Sequence, residues 1–244
     1  MFFMEILRSR QNEKIRRLLQ LSTDPEARRA AGEYLCAGHK LLQEAVASGA
    51  EVTQVLWTEP MGSLPCLLAS AELVGYVSPL KTNAGPVFTV RMPSWTLSAD
   101  ARRVVILENL QDPGNVGTVM RTAEAFGMDA VLLVGACADP FGPKTVRATM
   151  GAVFRLPVLR AESSALREAL PGFSIYGAAL AEDTRDIRSL GGERVAVAVG
   201  NEGSGLTPAL LSVCDAAVKI PMPGRAESLN AAVAASIAMW EMVR

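Results

Sequence analysis

The stretch Arg103-Val104-Val105-Ile106-Leu107-Glu108-Asn109-Leu110-Gln111-Asp112-Pro113-Gly114-Asn115-Val116-Gly117-Thr118-Val119-Met120-Arg121-Thr122 decides how the second half of this chain folds. It opens on a continuous aliphatic run, the pattern of a strand covered on both faces in a parallel sheet. Asp112-Pro113-Gly114 then supplies turn chemistry, and Asn115 is suited to cap a helix. Beyond it Thr118, Arg121 and Thr122 share one helical face, while Val119, Ala123 and Phe126 can pack. A strand-to-helix turn at the C-terminal edge of a parallel sheet is where open α/β folds bind ligands. Read singly, Asn115 is a simple cap and Arg121 a solvated charge.

The same alternation recurs outward from that stretch. Ala130–Val134, Ser174–Ala178, Arg194–Val199 and Ala216–Ile220 join Arg103–Glu108 as strand candidates. Helices are expected at about Val116–Phe126, Lys144–Phe154, Ser163–Leu170, Pro208–Val213 and Ser228–Met242. This order predicts a doubly wound α/β domain. The first part reads differently. Gln11–Leu21 is a helix with Ile15, Leu18 and Leu19 on one face and Lys14, Arg16 and Arg17 opposite; Lys40–Ala47 is a second helix and Glu51–Trp57 a strand. These elements imply a small α/β module. Met92-Pro93-Ser94 and Ser98-Ala99-Asp100 have linker composition, so the chain divides into residues 1–95 and 102–244.

Half of the 244 residues are hydrophobic and a fifth charged, which excludes a disordered chain. The net charge of −1 gives no global signal for nucleic acid, so any such surface must be local. The start, MFFMEILRSR, reaches charged residues too early for a signal peptide, and no run approaches the roughly eighteen apolar residues of a membrane span. The expected compartment is the cytoplasm. Cys36, Cys66, Cys137 and Cys214 are widely spaced and His39 is the one histidine, which argues against a zinc site or a disulfide framework and for reduced thiols.

Two further segments carry chemistry. In Val197-Ala198-Val199-Gly200-Asn201-Glu202-Gly203-Ser204-Gly205-Leu206-Thr207 a buried strand breaks into three glycines, which would let a ligand approach the backbone closely. Thr207-Pro208 then starts a helix. In Ile220-Pro221-Met222-Pro223-Gly224-Arg225-Ala226-Glu227-Ser228-Leu229-Asn230 a proline-flanked loop leads into another helix. Ser228 and Asn230 read there as caps, or as groups that hold a carboxylate or phosphate.

In order and spacing, Asn115 to Thr122 (N-x-G-x-x-x-R-T), Gly200 to Leu206 (G-N-E-G-x-G-L) and Ile220 to Asn230 (I-P-M-x-G-x-x-E-S-L-N) resemble the three motifs of the SpoU (TrmH) family of RNA ribose 2′-O-methyltransferases in the SPOUT superfamily. The resemblance implies an α/β fold whose C-terminal parallel-sheet domain is tied in a trefoil knot. It implies S-adenosylmethionine as cofactor, held by Gly200, Ile220 and Leu229, with Asn201, Glu202, Gly203, Met222 and Ser228 nearby. It also implies a homodimer through the C-terminal domain. Ala37-Gly38-His39-Lys40-Leu41-Leu42-Gln43-Glu44-Ala45 is similar to a stretch of the ribosomal-protein-like RNA-binding module of ribosomal-RNA members, which favours 23S ribosomal RNA over transfer RNA as substrate. Arg8, Arg10, Arg16 and Arg17, with Lys40, are the candidate RNA contacts, and Lys14, Arg28 and Arg29 complete the densest basic tract.

Among the motif residues the family assigns catalysis to the arginine, here Arg121. A guanidinium holds its proton at any ordinary pH. Arg121 is therefore better suited to stabilise a developing alkoxide and grip the adjoining phosphate. Asn115 and Ser228 would orient the ribose, Asn230 would brace the loop, and Glu202 would fix Arg121 or the knot. A nicotinamide-dependent oxidoreductase would need G-x-G-x-x-G after the first strand, where Asp-Pro-Gly-Asn-Val-Gly stands instead. A transfer-RNA enzyme, or an RNA-binding protein that kept the fold without the chemistry, are the alternatives within the resemblance.

Overall fold

The computed structural model describes residues 6–80, 85–180, 184–225 and 227–244. The first five residues and Ala226 of the third motif lie outside them. The chain forms two units, one of residues 1–94 with 141–154 and the other of residues 95–140 with 155–244.

In the first unit the order is β1 (Ile6–Leu7), α1 (Glu13–Thr23), α2 (Pro25–Ala31), β2 (Glu33–Ala37), α3 (His39–Ala47), β3 (Val52–Trp57), β4 (Cys66–Ala69), α4 (Ala71–Val77) and β5 (Val87–Arg91). The sheet is mixed, ordered β1-β4-β3-β5-β2. Ile15, Leu18 and Leu21 of α1 pack with Leu73, Val74 and Val77 of α4 and with Leu35 and Leu56 of the sheet. The buried face of α1 thus uses Leu21 more than Leu19, which is only partly covered. Asn12 caps α1 by accepting from the Lys14 N–H at 2.9 Å, and Asp24 caps α2 in the same way.

In the second unit β6 (Arg103–Glu108) leads to α5 (Pro113–Ala125) and β7 (Ala130–Val134). After α6 (Pro143–Thr149), which clusters with the first unit, come β8 (Val158–Ala161), α7 (Leu166–Ala169), β9 (Ser174–Ala178), β10 (Arg185–Asp186), β11 (Val195–Val199), α8 (Pro208–Leu211), β12 (Ala216–Lys219) and α9 (Ala231–Val243). Every pairing in the order β10-β12-β9-β11-β6-β7-β8 is parallel. Central β11 and β7 are buried along their whole length, as their unbroken apolar runs require. Val104, Ile106, Leu132, Ala196 and Ala198 pack with Leu166 of α7, with Leu170 just after it and with Leu210 of α8. On the other face Val195 and Val197 meet Ala238 of α9.

Four expected helices are shorter in the structure, the one at Pro208–Val213 ending at Leu211. The one expected through Phe154 stops at Thr149, because Met150 (φ 51°) and Gly151 (φ 103°) turn left-handed. Ser163–Leu170 is a 3-10 turn followed by a single α-turn. The last helix starts at Ala231 rather than Ser228, since Asn230 is its cap.

Candidate functional site

The C-terminal ends of β9, β11 and β12 open onto one cavity of about 620 Å³. Ala178, Val199 and Lys219 reach it from the strand ends, and the loops that follow complete its wall. Gly200, Asn201, Glu202, Gly203, Ile220, Met222, Ser228 and Leu229, the eight positions expected at a cofactor, all line it. Leu180, Leu206 and Leu211 add apolar surface, and Glu227 adds a second carboxylate.

The loop after β11 closes on itself. Asn201 accepts from the N–H groups of Gly203 (2.9 Å) and Ser204 (3.3 Å) through Oδ1, and its backbone carbonyl accepts from Gly205 N–H at 2.9 Å. Its Nδ2 donates to the Asn109 carbonyl at 3.2 Å, tying the loop to the end of β6. At Gly200 a Cβ would collide with the carbonyl group of Gly205 and the nitrogen of Leu206. This glycine is therefore demanded by the loop's own closure, a second reason for it beside the expected close approach of a ligand. Gly205 sits at φ 65°, where glycine is favoured, and Gly203 has room for a methyl group.

The first motif needs a correction. The cap of α5 is Asp112, whose Oδ1 accepts from the Asn115 N–H at 2.7 Å. Asn115 lies in the first turn instead, so its side chain is free for another task. Its Nδ2 donates to Glu202 Oε1, and its Oδ1 accepts from Asn230 Nδ2 at 3.2 Å. Asn230 Oδ1 meanwhile caps α9 through the N–H groups of Ala232 and Val233. One side-chain chain thus joins all three motifs. Glu202 is bound to Asn115 and not to Arg121, so of its two expected roles the pairing with Arg121 is not seen in this structure. Arg121 is exposed on α5 and has no hydrogen bond or ion pair among the described residues; neither it, Asn115 nor Asn230 lines the cavity. Ser228 is exposed in the loop before α9 and does line it.

Sequence reasoning missed Glu108. This carboxylate is buried at the end of β6 and accepts from Thr207 twice, from N–H at 2.7 Å and from Oγ1–H at 2.6 Å. Thr207 in turn caps α8. The signal was a charged residue ending an otherwise apolar strand run.

In the first unit the basic tract divides. Arg28 is buried and donates to the Leu21 carbonyl at 2.7 Å, so it serves the fold, contrary to its place among possible phosphate contacts. Arg10 pairs with Glu72 at 2.5 Å and lies over the Tyr76 ring, Arg17 pairs with Glu33 at 2.7 Å, and Arg29 pairs with Glu26. The Arg10 and Arg29 pairs are exposed and contribute only about 0–1 kcal/mol, weak enough for a phosphate to compete, whereas Arg17 binds the buried Glu33, which Arg91 also holds at 3.3 Å. Arg8, Arg16 and Lys40 are exposed without hydrogen bond or ion pair among the described residues. His39 is exposed, its ring edge-on to Trp57.

Comparison with known proteins adds independent findings. Residues 102–240 match the model of the SpoU rRNA Methylase family. Over 248 aligned residues the chain is 34% identical to the 23S rRNA (guanosine(2553)-2′-O)-methyltransferase RlmP of Bacillus subtilis, covering 98% of this chain and 99% of that one. An AdoMet-bound rRNA methyltransferase from Sinorhizobium meliloti superposes with a TM-score of 0.88 at 27% identity, over 98% of this chain and 97% of the other. The SpoU methyltransferase AviRb from Streptomyces viridochromogenes, in complex with AdoMet, gives 0.84 at 26% identity, over 96% and 97%.

Proposed function

The chain belongs to the SpoU rRNA Methylase family, and from that premise we propose that it methylates the 2′-hydroxyl of a ribose in 23S ribosomal RNA. It is an RNA ribose 2′-O-methyltransferase and its cofactor is S-adenosylmethionine. The observation that carries the reading is the cavity at the sheet's C-terminal edge. At about 620 Å³ it is within the roughly 300–1,000 Å³ range of small-molecule sites. Leu180, Leu206, Ile220, Met222 and Leu229 suit a purine ring, while Glu202 and Glu227 suit the positive groups of a sulfonium amino acid. When bound, that cofactor would supply an electrophilic methyl group for transfer to the ribose oxygen.

This chain's residues then have to orient the ribose and manage its proton. Arg121 holds five N–H donors and keeps its charge, so it stabilises the developing alkoxide and grips the neighbouring phosphate, and that phosphate or water accepts the 2′-hydroxyl proton. Asn115, held between Glu202 and Asn230, keeps the start of α5 in register with the cavity rim, and Ser228 orients the ribose from the opposite loop. The resemblance of the three motifs to the SpoU family implies a trefoil-knotted C-terminal domain. Residues 1–95 select the RNA, with Arg8, Arg16 and Lys40 on phosphates and Arg10 and Arg17 released from their ion pairs to join them. Two copies associate through α9, which exposes Val233 and Trp240. The cytoplasm is the proposed compartment. Among the described residues no helix is long and apolar enough to cross a membrane.

Purified protein incubated with methyl-labelled S-adenosylmethionine and unmodified 23S ribosomal RNA should yield one 2′-O-methylnucleoside on digestion. Labelling of transfer RNA alone, or of a base, would overturn the substrate assignment.

A further inference from the structure

The first unit contains a second cavity, of about 310 Å³, away from the three motifs. It is lined by Ala37, Gly38 and the first turns of α3, together with Leu80, Arg147 and Met150. We infer that this pocket receives one unpaired RNA nucleotide, its phosphate held by Lys40 and Arg147 and its base resting on Met150 and Leu80. The inference rests on the reading that the substrate is RNA, and adds a recognition site distinct from the site of methyl transfer.

Two permanent cations converge there from segments about a hundred residues apart in sequence. Lys40 and Arg147 are both exposed, and neither side chain has a hydrogen bond or ion pair among the described residues. A point charge and a planar fork facing one cavity favour an anion with several oxygens. The apolar side is equally specific. Met150 is 43% exposed and adopts φ 51°, ψ 31° as the residue that ends α6, a position that favours glycine. The fold gains little by placing an exposed methionine where glycine would relieve the backbone. A polarisable thioether is, however, a good surface for an aromatic ring. Opposite it the His39 ring is held edge-on to Trp57, with centroids 5.1 Å apart. The Glu44 carboxylate, one turn after Lys40, can accept from an amino group on a base edge. At the small end of the ligand-pocket range, the cavity suits a single nucleotide, and RNA loops offer such splayed bases.

The test compares full-length wild type with Lys40→Ala, Arg147→Ala and Met150→Gly for binding to unmodified 23S ribosomal RNA and, in parallel, to unmodified transfer RNA. On whichever RNA the wild type binds, each variant should raise Kd roughly ten-fold. The two cation variants should also reduce the slope of log Kd against log salt by about 0.7. S-adenosylmethionine binding should stay within two-fold for all three, and Met150→Gly should not lower Tm, which separates lost contact from lost fold. RNA affinities within two-fold of wild type for all three variants would overturn the pocket. Wild-type RNA binding without methylation would sink the methyltransferase reading and leave the pocket's test intact; no wild-type RNA binding at all would overturn both.

Discussion

Both carboxylate oxygens of Glu108 are taken by one residue, Thr207, at 2.7 Å from its N–H and 2.6 Å from its hydroxyl. The pair joins the end of the central strand β6 to the end of the glycine loop that forms the cavity wall. Removing the carboxylate leaves a backbone N–H unpaired in a half-buried site, a cost of about 1–3 kcal/mol. Glu108→Ala should therefore lower Tm and weaken S-adenosylmethionine binding at least ten-fold. Glu108→Gln can still accept from the Thr207 N–H and donate to its hydroxyl, so it should restore most of that affinity. Calorimetry on the two variants checks this; equal loss in both would show that charge, rather than loop position, matters.

Gly200 and Gly203 separate what the loop needs from what a ligand needs. A methyl group at Gly200 meets the backbone of Gly205 and Leu206, whereas at Gly203 the nearest atom is Asn201 Oδ1 at 3.5 Å. Gly200→Ala should disrupt the loop, lowering Tm and cofactor binding together. Gly203→Ala should leave Tm unchanged, so any rise in cofactor Kd reports close approach of the ligand to that backbone. Thermal melts with and without S-adenosylmethionine distinguish the two cases.

Strands buried on both faces were legible because their apolar runs are unbroken: Arg103–Glu108 and Ala130–Val134 have the same bounds in sequence and structure. Ser174–Ala178 also keeps its bounds, although its residues alternate between buried and half-buried. Val158–Ala161 escaped because it is a half-buried edge strand with an exposed Arg160, and Arg185–Asp186 because two residues carry no periodicity. Val87–Arg91 lies inside the first sheet and did show an alternating β-branched run, hidden by the prolines and glycines before it. At the site, residue types marked the loops but not their partners. Asn115 and Asp112 are both good caps, and only the turn geometry chooses Asp112. The link from Asn115 to Glu202 and Asn230 spans about a hundred residues and depends on how the strands pair, which local pattern does not encode.

Arg121 has no side-chain hydrogen bond or ion pair among the described residues, while Asn115 on the same motif is held by Glu202 and Asn230. Such a side chain can meet substrate without first breaking a bond. Arg121→Ala should cut methyl transfer by about 10²–10³-fold, the cost of removing a transition-state donor. Cofactor Kd should stay within a few-fold. Arg121→Lys keeps charge but loses the fork, and should recover only part of the rate. Single-turnover rates and calorimetry together check the assignment; parallel loss of cofactor binding in Arg121→Ala would remove Arg121 from catalysis.

The thiols should be unreactive near neutral pH. Burial pushes Cys214 up to about 11, and it also raises Cys36, Cys66 and Cys137. The reactive species is the thiolate, which at pH 8 is only about one part in a thousand for a group titrating near 11. Cys214 alkylation in the native protein should therefore accelerate about ten-fold per pH unit from pH 8 and level off near 11. Mass spectrometry of peptides after timed labelling reads this. Rapid modification of Cys214 at pH 8 would show that its surroundings are more open than in this structure.

Trp240 is 52% exposed and Val233 47%, and they lie seven residues apart, two turns along one face of α9. The Trp240 ring leans on Phe126 at 5.8 Å, so the exposed part is a fixed apolar surface rather than a loose side chain. If two copies meet through this face, a buried carboxylate there would be costly without a partner. Trp240→Glu should shift the protein from dimer to monomer in sedimentation velocity, with Tm falling only as far as loss of the partner requires. Glu241→Gln, on the same helix with its carboxylate paired to Arg244, should leave the dimer intact. An unchanged sedimentation coefficient for Trp240→Glu would place any interface elsewhere.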